Sequence, residues 1–197
     1  MTAADGKRIH QDFPPPAVWS PFEMRFAQGA IARQPRRKVY LEMGSFRGGS
    51  FWAFSNTLEP GATMISVDWP NRNSEVSLAR TGALLTRRGF DVHLIRGKTQ
   101  DSVEQVRAVL AGRQVDVMVI DADHGPGMAL RDWKLYSPFL NGLAIFHDCG
   151  IPTGRHALND HQKSFMASTR AGFMEAAKGR LSATAQDDFG TGLIWKT

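Results

Sequence analysis

The chain has 197 residues, the length of one ordinary domain and enough to bury roughly two thirds of the surface its unfolded form would expose. Apolar side chains make up 42% of it, which excludes disorder as the main state. The 24 Lys and Arg against 19 Asp and Glu leave a net charge of +5, short of the concentrated basic stripe of a dedicated nucleic-acid binder.

The single cysteine, Cys149, cannot close an intrachain disulfide, which fits a reducing compartment. No run reaches the roughly 18 apolar residues of a membrane span. The opening MTAADGKRIHQDFPPP lacks the apolar core of a signal peptide. These features point to a cytoplasmic protein without a membrane partner, and the sequence is compatible with a homo-oligomer.

Residues 1–16 are polar and end in Pro14, Pro15 and Pro16, which favour extended polyproline geometry; they read as a flexible arm ahead of one domain, 17–197. Phe22, Phe26, Ala30 and Ile31 recur at helical spacing and predict an amphipathic helix over 19–34. From there β-rich runs alternate with helical stretches. Strands are predicted at 39–43, 63–69, 91–97, 115–122 and 142–148, with helices at 50–58, 74–89, 101–112 and 128–140, Asp101 standing where it caps the third of these. A longer polar helix, about 157–178, leads to a final pair of strands joined by a turn too short for anything but an antiparallel arrangement. The fold class is therefore α/β: a single, doubly wound, mostly parallel seven-stranded sheet with an antiparallel last strand.

In such sheets ligands bind beyond the carboxyl ends of the strands, where strand order reverses, so motifs should gather there. The first strand ends in EMGSFRGGS (42–50), a turn whose Gly44, Gly48 and Gly49 permit close approach of a ligand to backbone, with Ser50 placed to cap the next helix. Its spacing is not that of the dinucleotide fingerprint. The second strand ends in Asp68, at the distance where nucleotide-binding α/β folds put an acid on ribose hydroxyls. Trp69 follows, its ring suited either to stacking on a purine or to core packing.

A second group of residues ends the fourth and fifth strands: Asp121, Asp123 and His124, then His147, Asp148 and Cys149. Carboxylates and imidazoles converging at the mouth of a sheet can hold a divalent cation, which in turn can hold a substrate oxygen. Taken singly, Asp123 and His124 can bond their own turn, and Cys149 can be a small buried hydrophobe.

The order of these elements, E-x-G-S-x-x-G-G-S, an acid ending strand two, GKTQD after strand three, IDADH at strand four and GLAIFHD at strand five, resembles the class I S-adenosylmethionine-dependent methyltransferases over residues 38–150. The last strand pair, 181–196, matches the family's as well. The resemblance implies S-adenosylmethionine as cofactor, with Glu42, Gly44, Ser45 and Gly48 lining its methionine end. Asp68 then binds the ribose, beside Trp69, and Thr99 and Gln100 approach the adenine.

The acid and histidine group is similar to that of the catechol and caffeoyl-coenzyme A O-methyltransferases, and more so to macrolide-sugar and cephalosporin-type O-methyltransferases with a D-x-x-H element. By that similarity Asp121, His147 and Asp148 are ligands of a divalent cation, either Mg²⁺ or a transition metal. Asp121 also faces the cofactor, and His124 is the catalytic base. His147 departs from the pattern, since relatives carry Asp or Glu there and imidazole suits transition metals better than Mg²⁺.

The implied function is O-methylation of a small-molecule acceptor, a sugar or an aromatic compound. A metal-dependent hydrolase is the alternative, but leaves the glycine loop and Asp68 without a role. A non-catalytic cofactor- or nucleic-acid-binding module is the third class. Polar residues of the 150–163 stretch, including Arg155, His156, Asp160 and His161, are expected to face solvent.

Overall fold

The structure is a computed structural model that describes residues 18–69, 72–151, 159–185 and 189–196; the expected arm, 1–16, lies outside them. Seven strands form one sheet: β1 (Val39–Met43), β2 (Thr63–Asp68), β3 (Asp91–Arg96), β4 (Val115–Ile120), β5 (Leu140–Phe146), β6 (Leu181–Ala185) and β7 (Thr191–Trp195). Their order is β3-β2-β1-β4-β5-β7-β6, with β7 antiparallel to both neighbours and every other pairing parallel.

Among the described residues six α-helices cover the sheet: α1 (Pro21–Ala32), α2 (Gly49–Ser55), α3 (Arg72–Arg87), α4 (Val103–Leu110), α5 (Met128–Tyr136) and α6 (Asp160–Ala176). Side chains alternate along each strand, so the sheet feeds two cores. Leu41, Met43, Met118 and Phe146 pack with Val106, Trp133 and Phe173 from α4, α5 and α6. Tyr40, Val119 and Ile145 pack on the opposite face with Ile31, Phe54 and Leu85 from α1, α2 and α3. No helix among the described residues is long and apolar enough to cross a membrane.

Several boundaries differ from the sequence reading, and the differences concern the site. Four strands stop one or two residues short of the predicted ends, so Trp69, Gly97, Asp121 and the His147–Asp148 pair lie in loops beyond the sheet. Asp101 does not cap a helix: residues Thr99–Asp101 form a 3₁₀ turn and α4 begins only at Val103, with Ser102 at its cap position. The first helix begins at Pro21, and Ser20 and Glu23 cap it reciprocally, Glu23 N–H donating to Ser20 Oγ and Ser20 N–H to Glu23 Oε2. Trp19 therefore precedes the helix.

One buried carboxylate fastens β4 to the entry of β1. Asp116 Oδ2 accepts the backbone N–H groups of Lys38 (2.8 Å) and Val39 (3.0 Å) from 78 and 77 residues away. Asp116→Ala should leave both donors without the carboxylate, the Val39 N–H buried, lowering stability by about 2 kcal/mol in urea unfolding. A loss near zero would show that water replaces the carboxylate.

Candidate active site

The carboxyl ends of β1, β2, β4 and β5 open into a cavity of about 960 Å³, at the upper end of the usual range for a small-molecule site. It sits where strand order reverses, since β2 lies on one side of β1 and β4 on the other.

On the β1–β2 side the wall is formed by Gly44, Phe46, Val67, Asp68 and Trp69. Gly44 has φ +89°, and a Cβ built on it would stand 2.0 Å from the carbonyl oxygen of Asp121. Any side chain there collides with the exit of β4. A valine is thus expected to disrupt the strand ends as well as block a ligand, so it cannot serve as a variant that folds yet fails to bind. Gly48, with φ +87°, starts α2 without lining the cavity; its Cβ would meet Thr81 at 2.8 Å.

Ser50 does not cap α2. Its hydroxyl donates to Glu42 Oε1 (2.5 Å), while Tyr40 O–H donates to Glu42 Oε2 (2.8 Å). Glu42 is fully buried on the α1–α3 face, behind the wall, and burial pushes its carboxyl up to about 8 against the two hydroxyl bonds. Ser45 is also buried, accepting a hydrogen bond from Ser66 Oγ at 2.8 Å. Of the four residues expected at a methionine end, the structure brings only Gly44 to the cavity surface. Glu42, Ser45 and Gly48 hold the loop from behind.

Asp68 lines the cavity and accepts the N–H of Phe46 at 2.5 Å. Burial raises its pKa, opposed by that N–H bond. The arrangement places Phe46 in the left-handed region at φ +49°, unusual for a bulky residue, with its ring 43% exposed at the cavity. Trp69 is 71% exposed on the rim, which excludes core packing for it. Thr99 and Gln100 also reach the wall, but the Thr99 hydroxyl turns inward to Asp132 Oδ1 (2.5 Å) and Gln100 accepts from Arg131 Nη2 (2.9 Å).

The opposite side is built from side chains. His124 Nδ1 lies 3.4 Å from Asp148 Oδ2, its Nε2 lies 4.0 Å from Asp121 Oδ1, and its ring stacks on Phe165 of α6. Asp123 accepts the N–H of Gly125 (2.8 Å) and so bonds its own turn. His124 does not. Asp148 has φ +55°, the second strained non-glycine residue at the cavity.

His147 is only 3% exposed. Its Nδ1 stands 3.3 Å from both Asp121 Oδ1 and Asp148 Oδ1, and its Nε2 3.7 Å from Glu23 Oε2. Burial lowers its pKa, but the Asp121 charge and the bonds to Asp121, Asp148 and Glu23 outweigh this and hold it well above the usual histidine value. Glu23 is correspondingly lowered, since its interactions with His147 and the Ser20 bonds exceed its desolvation.

The methyltransferase-domain family model matches residues 41–149, more than half of the chain. This chain belongs to that methyltransferase family. Solved structures agree on the fold. A putative caffeoyl-CoA O-methyltransferase from Staphylococcus aureus is 16% identical with a TM-score of 0.73, over 100% of this chain and 93% of that one. An O-methyltransferase of tomaymycin synthesis from Streptomyces achromogenes, solved with S-adenosylmethionine, is 20% identical at 0.67, over 100% and 91%. One from Bacillus cereus, with S-adenosylhomocysteine, is 15% identical at 0.69, over 100% and 92%. No curated protein matches the sequence.

The cation ligands expected from the sequence are Asp121, His147 and Asp148; the residues whose donor atoms lie within 4.8 Å of one another are Asp121, His124 and Asp148. His147 also lines the cavity, with Nδ1 beside the Asp121 and Asp148 carboxylates and Nε2 turned towards Glu23. Sequence reasoning also missed Trp19, Glu23 and Phe165. The S-P-F-E capping box at 20–23 announces Glu23 as a helix cap, yet nothing local shows that its carboxylate also reaches β7. Asp160 and His161 are exposed as expected, whereas Gln162 and Phe165 line the cavity; Arg155 and His156 lie outside the described residues.

Glu42 gives a pH signature. Folded, its carboxyl keeps its proton up to about pH 8, whereas an exposed Glu ionises near 4.5. Between those values the folded chain holds the extra proton, so this group makes stability fall as pH rises, by at most about 1.4 kcal/mol per pH unit, and the fall ends above pH 8. Glu42→Gln should remove that slope in urea unfolding series run from pH 5 to 8. An unchanged slope would mean that Glu42 is ionised in the fold.

Proposed function

We propose that this methyltransferase uses S-adenosylmethionine and methylates a hydroxyl oxygen of a small molecule. The observation that carries the reading is the two-sided cavity: Gly44 and Asp68 on one wall, the Asp148–His124 pair on the other, with room for a cofactor and an acceptor between them. The similar structures, O-methyltransferases solved with S-adenosylmethionine or S-adenosylhomocysteine, support it. A hydrolase would leave Asp68 and the close-packed Gly44 turn without a task. A lone buried thiol, Cys149, is in keeping with a cytoplasmic enzyme.

When bound, the cofactor supplies an activated methyl group. Asp68 accepts hydrogen bonds from the ribose hydroxyls, and Trp69 offers an exposed ring face beside them. Gly44 lets the ligand approach backbone. His124 takes the acceptor hydroxyl's proton, Asp148 fixes the ring through Nδ1, and Phe165 restrains its plane. Holding the two reactants in line in one cavity supplies much of the rate.

The convergence of Asp121, His124 and Asp148 favours a second reading. Two carboxylates and an imidazole on the cavity wall fit a divalent cation, which would supply positive charge beside the acceptor oxygen. In that case His124 is occupied as a ligand and is not the base.

Asp68→Ala should weaken S-adenosylhomocysteine binding about tenfold or more in calorimetry, the scale of lost charge-assisted bonds. Unchanged affinity would remove Asp68 from the cofactor site. With a panel of small hydroxyl compounds, caffeoyl-CoA among them, His124→Ala should cost roughly 10²- to 10⁴-fold in methyl transfer. A chelator separates the readings: full activity in its excess supports His124 as base, whereas loss restored by added metal supports the cation site.

A further inference from the structure

The sequence reading assigns nothing to Trp19, yet among the described residues it meets two members of the acid and histidine group at once. Its indole Nε1–H donates to Asp121 Oδ2 at 3.0 Å across 102 residues of chain. Its ring lies flat on the His147 imidazole, with centroids 4.2 Å apart and planes 14° from parallel. The edge of Phe54 on α2 meets it from another side at 5.2 Å, and it is only 7% exposed. Four residues on, Glu23 accepts the N–H of Phe189 (3.3 Å) and of Gly190 at the entry of β7 and faces His147 Nε2.

We infer that Trp19 is a positioning residue: its indole N–H fixes the Asp121 carboxylate at the mouth of β4 and its ring fixes His147 behind it. An aspartate side chain can turn about its Cα–Cβ and Cβ–Cγ bonds. With Oδ1 shared between His147 and the neighbourhood of His124, the Trp19 bond to Oδ2 is what determines the carboxylate plane. A phenyl ring at this position would supply the stacking area but not the donor. That separates the positioning role from packing, and a mere core residue would lose little by the exchange.

The catalytic consequence rests on the methyl-transfer reading, with Asp121 either holding the cation or standing beside His124 Nε2, whereas the hydrogen bond does not. The test therefore has two arms. In ¹⁵N-tryptophan spectra of the full chain, which has five tryptophans, one indole N–H should exchange slowly with solvent, vanish in Trp19→Phe and shift more than the other four in Asp121→Asn. In the methyl-transfer assay at saturating S-adenosylmethionine, Trp19→Phe should lower kcat about tenfold, the lower end for a lost hydrogen bond to a charged acceptor. Its KM for S-adenosylmethionine should move less than twofold and its melting temperature by only a few degrees.

A Trp19 indole signal indifferent to Asp121→Asn would overturn the inference, as would a kcat within twofold of wild type. A panel on which wild type transfers no methyl group would count against the proposed function instead, and the indole spectrum would still decide whether Trp19 holds Asp121.

Discussion

Beyond the last residue of β1, β3, β4 and β5 the chain makes one more backbone bond of the sheet type before it turns away. Gly44 N–H donates to Val67 O, Gly97 N–H follows Asp68 O, Asp121 N–H reaches Met43 O and His147 N–H reaches Ile120 O, all at 2.9–3.2 Å. This extra rung sets the height at which Gly44, Asp121 and His147 stand above the sheet. It also explains why Gly44 tolerates no side chain: Asp121 is bonded to the residue before it, so the two backbones are pressed together at that level. Asp68 at the end of β2, and Asp121 and Asp148 in the loops after β4 and β5, then stand at the same edge of the sheet, and the like charges must be managed by what surrounds them.

The management differs on the two walls. Behind the glycine turn, Glu42 is buried with hydroxyl donors only, and burial dominates, so the carboxyl favours its neutral form. On the other wall Asp121, Asp148 and Glu23 surround one imidazole, and there the charges favour each other. Breaking such a group by removing one member leaves an uncompensated buried charge, which is costly even where the intact group adds little net stability. His147 thus stands as the counter-charge of the wall at the edge of the cavity.

The sheet and its seven strands were legible because their signals are local. Near-continuous apolar runs such as 115–120, bounded by polar turns, are a property of adjacent residues, and so is the shortness of the last turn. The turn after β1 was likewise visible, although its parts were misassigned: Glu42 follows Tyr40 by two residues and so shares its face of the sheet, a period-two argument that places it behind the wall. The second and fourth strands were overrun because the loop residues Trp69 and Ala122 are aromatic or apolar and extend the pattern past the last paired residue. Trp19, Glu23 and Phe165 were illegible for a different reason. Their partners lie about 40 to 170 residues away, and no pattern within a helix records a contact made at that range.

That division follows the chemistry of the two halves. A wall built on a glycine turn and one acid makes demands that fall on consecutive residues where a motif can record them. A wall that must hold a proton acceptor beside a transferable group needs carboxylates and imidazoles aimed at one point from several elements. Here they come from the ends of β4 and β5, with Phe165 from α6 and Trp19 and Glu23 from the approach to α1 and its first turn. Elements that far apart in sequence can change their side chains without altering the glycine turn. On the proposed reading, acceptor choice can therefore change while the glycine turn stays as it is, and the capping segment at 19–23, which touches the acid group but not that turn, falls on the acceptor side.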